Sequence, residues 1–185
     1  MPSFESAHRD ANPNIAPVLA RSDRDGLPSF PERGFARRFR LCYNAAVHVF
    51  PSAEWAAAYR EAVNASEAYR RAGAGWTHGA VALVIKADDA IGLSQPVGIW
   101  LDLDRGVCRD ARVVSPEEAA RAPFCISGEY ARWRQVLNRE LEPIAAMMQR
   151  KLELKGQMTI IVRFVEAAKE LVNAAARIPT RFLGE

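Results

Sequence analysis

The stretch LEPIAAMMQRKLELKGQMTIIVRFVEAAKELVNAAARI, residues 141–178, decides how this chain folds. In its middle Leu152 and Leu154 alternate with Lys151, Glu153 and Lys155 before Gly156, the pattern of a short half-buried strand closed by a turn residue. A long helix is expected next. At about 100° per residue from Gln157 onward, Arg163, Glu166, Lys169, Glu170, Asn173 and Arg177 form one polar stripe. Ile161, Phe164, Val165, Ala168, Leu171, Val172 and Ala175 form the opposite, unusually wide apolar face. The β-branched run Ile160, Ile161, Val162 also fits a strand locally, but the apolar period continues for several turns, too long for an ordinary strand.

Working outward from there, Pro143 starts a helix over residues 144–149, and Ser127 is placed to cap a helix whose Tyr130, Trp133, Val136 and Leu137 face inward. Phe124-Cys125-Ile126 reads as a strand, and Ser115-Pro116-Glu117-Glu118 as a capping box opening a short helix. Residues 97–114 make a hairpin: Ile99, Leu101 and Leu103 alternate against Trp100 and Asp102, with a tight turn at Asp104-Arg105-Gly106. The segment AVALVIKA, residues 80–87, is short, β-branched and almost wholly apolar, as a central strand is. Pro51 and Ser52 open a helix with Glu54 in its first turn and Trp55, Tyr59, Ala62 and Val63 on its buried stripe. Strands joined by hairpins, with helices at the ends, give an α+β class: five strands, largely antiparallel, covered by helices on one face.

The first 33 residues differ in kind. They hold five prolines among Asp, Ser, Arg and Asn with little apolar period, so a flexible arm is expected over 1–33 and a single folded domain over 34–185. From Gly34, residues Phe35, Phe39, Cys42, Ala46 and Val49 share one helical face, with Arg37, Arg38 and Arg40 elsewhere. Such a helix either docks on its own domain or touches anionic lipid or a protein partner through those arginines.

A formal charge of +3 over 185 residues demands neither nucleic acid nor an anionic surface as partner, and no nucleic-acid binding is expected. Cys42, Cys108 and Cys125 are too far apart for a zinc or Cys-x-x-Cys pattern, which favours a reducing cytoplasm. No apolar run reaches the length of a membrane span. Phosphate-binding glycine loops, Gly-x-Ser-x-Gly and His-Glu-x-x-His are all missing, and His8, His48 and His78 are scattered. Accordingly no catalytic residue, metal ligand or cofactor is assigned. Met147, Met148 and Met158 are the notable apolar residues, since flexible thioethers adapt to guests of varied shape, although filling gaps in a core is their commoner use. Trp100 and Trp133 carry the same two readings.

FPSAEWAAAYREAVN, GAVALVI, GIWLDLDRGVCRDARVV, FCISGEYARWRQVLNRELEPIAAMMQRKLELKGQM and IPTRFL together resemble the sterol carrier protein, or nonspecific lipid-transfer, domain family in its bacterial and archaeal stand-alone form. The frame of Leu141, Pro143, Ala146, Leu152, Lys155 and Gly156 carries the resemblance most strongly, and it spans residues 50–183. It implies a five-stranded sheet under helices, with an apolar tunnel between them for a fatty acyl chain, acyl-CoA, sterol or phospholipid. In this chain the candidates to line such a tunnel are Trp100, Trp133, Leu137, Met147, Met148, Leu152 and Leu154, continuing through Met158, Ile161, Phe164, Val165, Ala168 and Val172. The family has no invariant catalytic residue, and Arg150 stands where small residues or glycine are frequent. The expected function is therefore non-catalytic binding or transfer of apolar lipids. The competing expectation is an interaction module with a closed core, its basic helix engaging a partner.

Overall fold

The computed structural model describes residues 46–185. The expected arm and the residues from Gly34 that carry Phe35, Arg37, Arg38, Phe39, Arg40 and Cys42 lie outside that range. The chain enters through strand β1 (His48–Phe50), so Val49 is in a strand and the helical pattern does not run through it. Helix α1 (Ala53–Asn64) follows, capped as expected by Ser52, whose Oγ accepts from the Trp55 N–H at 3.1 Å. Helix α2 (Glu67–Ala72) is capped in the same way by Ser66; six residues are too few to show a period, and the sequence reading missed it.

Strands β2 (Val81–Ile85), β3 (Val97–Asp104) and β4 (Val107–Val114) come next. Arg105 and Gly106, at φ 46° and 79°, form the two-residue turn between β3 and β4, and the ladder carries a bulge between Asp102 and Leu103. Helix α3 (Pro116–Ala119) is capped by Ser115. Then come β5 (Phe124–Gly128), α4 (Tyr130–Leu137), α5 (Pro143–Met148) and β6 (Glu153–Lys155). Ser127 does not cap α4. It belongs to β5, Glu129 holds the cap position, and the Ser127 hydroxyl turns toward Glu153.

The order β4-β3-β2-β5-β6 makes one five-stranded sheet, antiparallel throughout except for the parallel pair β2–β5. Period-two alternation divides its faces. Val81, Ile85, Ile99, Leu101, Leu103, Phe124 and Ile126 join the main core beneath the helices. Ala82, Val84, Trp100, Val114 and Cys125 point the other way, where α3 covers them with Ala119.

The long helix expected after Gly156 is broken. Helix α6 (Met158–Arg163) ends and α7 (Val165–Ala175) begins at Phe164, whose φ of −110° and ψ of 30° are not helical. The β-branched run weakens the helix there, and the Phe164 ring finds an edge-on partner in Trp76, 5.1 Å between centroids. The buried face turns with the break: Ala167, Ala174 and Ala175 are buried, whereas Val165, Ala168, Leu171 and Val172 are half-buried.

Strand β7 (Thr180–Phe182) closes the domain by pairing parallel with β1, a two-stranded ribbon the sequence did not reveal. Three polar contacts fasten it. The Tyr130 hydroxyl donates to the Phe50 carbonyl at 3.0 Å and accepts from the Leu183 N–H at 2.7 Å, while Trp55 Nε1 donates to Thr180 Oγ1 at 3.0 Å. On the far edge the Asn64 amide exchanges two 2.9 Å hydrogen bonds with the backbone of Cys108, covering β4 where it faces no further strand.

Candidate functional site: an apolar cavity between sheet and helices

Helices and sheet do not meet everywhere. Between them lies a cavity of about 100 Å³. Its floor is the inward face of the sheet, including Val81, Leu83, Leu101, Leu103 and Ile126. The walls and roof come from Trp55 and Tyr59 of α1, Trp133 and Val136 of α4, Met147 of α5, and the residues Ala167, Ala168, Leu171 and Val172 of α7.

The polar atoms of four aromatic walls are turned away into the protein. Tyr59 donates its hydroxyl proton to the Leu171 carbonyl at 3.1 Å, Trp133 Nε1 to the Val84 carbonyl at 3.0 Å, and Trp76 Nε1 to the Gly79 carbonyl at 2.8 Å. With Trp55 already bonded to Thr180, these rings present hydrocarbon to the cavity. Water gains little in such a space, since it needs two to four polar partners.

Of the residues named from the sequence, Trp133, Leu137, Met147, Leu152, Ile161, Phe164, Ala168 and Val172 line the cavity. Five others do not. Trp100 faces the opposite side of the sheet, where Arg112 lies 5.7 Å over its ring, as the alternation against Leu101 requires. Met148 is 72% exposed because a neighbour on a helix points about 100° away from buried Met147. Leu154, Met158 and Val165 pack partly buried against the core without reaching the cavity. Phe50, Trp55, Tyr59, Tyr69 and Trp76 line it without having been singled out. The inward stripes of α1 and of the hairpin were the available signal for Trp55, Tyr59, Leu101 and Leu103.

Tyr59, Tyr69 and Cys108 sit together at one end of the core, and burial raises the pKa of each. The Cys108 thiol is pushed up to about 12, chiefly by burial. An unfolded cysteine titrates near 8.5, so the unfolded chain loses this proton first as pH rises. The stabilising contribution is therefore whole below about pH 8.5 and is lost progressively toward pH 12, with the two tyrosines adding to the loss above about pH 10. Melting temperature should fall steadily from pH 8 to 11, and Cys108→Ala should flatten the early part of that fall. A curve of unchanged slope in the variant would contradict the assignment.

A family model described as "SCP-2 sterol transfer family" matches residues 61–169 of this chain. A crystal structure of sterol carrier protein 2 is 40% identical, with 69% of this chain and 97% of that one covered and a TM-score of 0.64. A solution structure from Thermus thermophilus, of a conserved hypothetical protein advanced there as a sterol carrier protein, is 39% identical. It covers 70% of this chain, is itself 90% covered, and has a TM-score of 0.65. No curated protein matches.

Proposed function

The chain belongs to the SCP-2 sterol transfer family, a family of lipid carriers, and on that premise we propose that it binds and transfers the apolar part of a long-chain lipid in the cavity between sheet and helices, without catalysis. The observation that carries this reading is the lining: aromatic and aliphatic side chains on every side, with the polar atoms of Trp55, Tyr59, Trp76 and Trp133 bonded away from the space. Fatty acyl, acyl-CoA, sterol and phospholipid guests all present hydrocarbon of the kind such a surface takes up.

Magnitudes narrow the class. Burying a CH₂ group contributes about 0.8 kcal/mol, and micromolar affinity needs roughly 8 kcal/mol, so on the order of ten methylenes must be buried before the cost of association is counted. A lipid tail meets that requirement. Yet the cavity, at about 100 Å³, is smaller than the ~150 Å³ engineered cavity known to admit benzene. A tail therefore enters only as the helical layer yields, and the interrupted helix at Phe164 is where that layer is already divided. The buried, high-pKa thiols of Cys108 and Cys125 support a carrier rather than a thiol enzyme, and the wide spacing of the three cysteines in the sequence suits a reducing cytoplasm.

Native mass spectrometry of the purified full chain, followed by organic extraction, tests the proposal. Discrete mass increments that vanish on extraction and reappear as a long-chain lipid in the extract are expected. A chain that carries no such increment and acquires none when offered fatty acid, acyl-CoA, sterol and phospholipid would remove the lipid-carrier reading.

A further inference from the structure

A second concavity, a cleft of about 190 Å³, lies against the apolar cavity and differs from it in every chemical respect. Four cations, Lys86, Arg132, Arg150 and Lys151, line it against two carboxylates, Glu129 and Glu153. Glu153 is bound to Lys86 at 2.9 Å, which neutralises one cation. None of the ion pairs among the described residues involves Arg132, Arg150 or Lys151. Three cationic side chains thus face one remaining carboxylate, Glu129, in this concavity, and Arg132 also donates through Nη1 to Gln135 Oε1 at 3.1 Å.

Sequence neighbours divide between the cleft and the cavity. Leu152, 1% exposed, lines the cavity, while its neighbours Lys151 and Glu153 line the cleft. Helix α4 repeats the division, with Trp133 on the cavity and Arg132 on the cleft. Gly128 lines the cleft, and a Cβ built there would stand 2.3 Å from Leu152 Cδ2 and 3.5 Å from Trp133 Nε1, atoms of two cavity-lining side chains. Only a residue without a side chain leaves the Leu152 side chain in place, so this flexible side chain touches Gly128 of the cleft on one side and lines the cavity on the other.

The backbone adds a third observation. Arg150 sits at φ 58°, in the left-handed region, just after α5, where glycine or asparagine would be adopted at lower cost. An arginine held in that conformation departs from local preference, as Arg105 and Arg139 also do, and of the three only Arg150 lines the cleft.

We propose that this cleft is the head-group site of the same ligand. The carboxylate or phosphate of an amphipathic lipid lies among Arg132, Arg150 and Lys151 while its tail passes the Leu152 side chain into the cavity. The inference rests on the lipid-carrier reading and specifies it: the guest is an anionic, single-tailed or narrow lipid, and Leu152 is the side chain that must swing aside to admit it. Fork-like guanidinium donors suit both carboxylate and phosphate oxygens, and hydrogen bonds to charged groups are the stronger kind.

The test compares two soluble probes at concentrations where they are monomeric, dansyl-labelled undecanoic acid and its methyl ester, which share a tail and differ in head-group charge. Wild-type protein at low salt should bind the acid roughly tenfold more tightly than the ester. In the double variant Arg132→Gln/Arg150→Gly that preference should vanish while the ester affinity stays as in wild type. Glycine at 150 suits the left-handed backbone, and the retained ester binding reports an intact cavity. Equal binding of acid and ester by wild type, or a preference that survives in the double variant, overturns the head-group assignment and leaves the lipid-carrier reading intact. Failure of wild type to bind either probe removes both.

Discussion

Replacing Gly106 with alanine is expected to lower the melting temperature by roughly 10 °C, the shift that about 3 kcal/mol produces in a domain of this size. Two costs add at that position. Gly106 has φ 79°, which an L-residue adopts at a cost of about 1 kcal/mol. A methyl group there would also stand 2.2 Å from the Arg70 carbonyl oxygen and 2.9 Å from Arg70 Cα, backbone atoms at the end of α2 that have no rotamer in which to retreat. Either the hairpin or α2 must shift, and overpacking of this kind costs typically 1–3 kcal/mol. Gly92 supplies the control. It has nearly the same φ, 80°, with nothing within 4 Å of its built Cβ, so Gly92→Ala should cost only the backbone part, about 1 kcal/mol. Equal melting temperatures for the two variants would show that the close approach of α2 to the turn is not what requires glycine at 106.

Ala168→Phe is expected to abolish uptake of an acyl probe while leaving a folded, moderately destabilised domain. Ala168 is half-buried on α7 and borders the cavity, so a phenyl group there enters a space of about 100 Å³ and more than fills it. Filling that space removes the guest's volume, and binding should weaken more than tenfold. Overfilling a space of that size costs about 1–3 kcal/mol, which leaves the domain folded. Strong destabilisation together with retained uptake would mean that Ala168 sits against a closed core and that guests are held somewhere else.

Local chemistry was what the sequence recorded most faithfully. The hairpin could be read residue by residue because period-two alternation of Ile99, Leu101 and Leu103 and the Asp104-Arg105-Gly106 turn are properties of adjacent residues. The caps at Ser52 and Ser115 were legible for the same reason. What escaped depends on residues far apart in the chain. The break at Phe164 coincides with a ring contact to Trp76, far away in sequence, and the β1–β7 ribbon joins three-residue strands from opposite ends of the described chain, too short to show a pattern. Residue type alone also misplaced part of the cavity lining. Trp100 and Trp133, or Met147 and Met148, are alike in composition, and only the face each occupies separates a wall of the cavity from a surface. The cationic cleft stayed hidden because its residues come from the end of β2, from α4 and from the α5–β6 connection, and meet only in the fold.

A guest lodged between sheet and helices is the central claim, and quenching of tryptophan fluorescence by a brominated long-chain fatty acid tests that location directly. Trp55, Trp76 and Trp133 line the cavity, while Trp100 lies across the sheet. Saturable quenching is predicted, undiminished in Trp100→Phe and lost in Ala168→Phe. Quenching that disappears with Trp100→Phe, or that persists unchanged in Ala168→Phe, would place the lipid outside the cavity and contradict the claim.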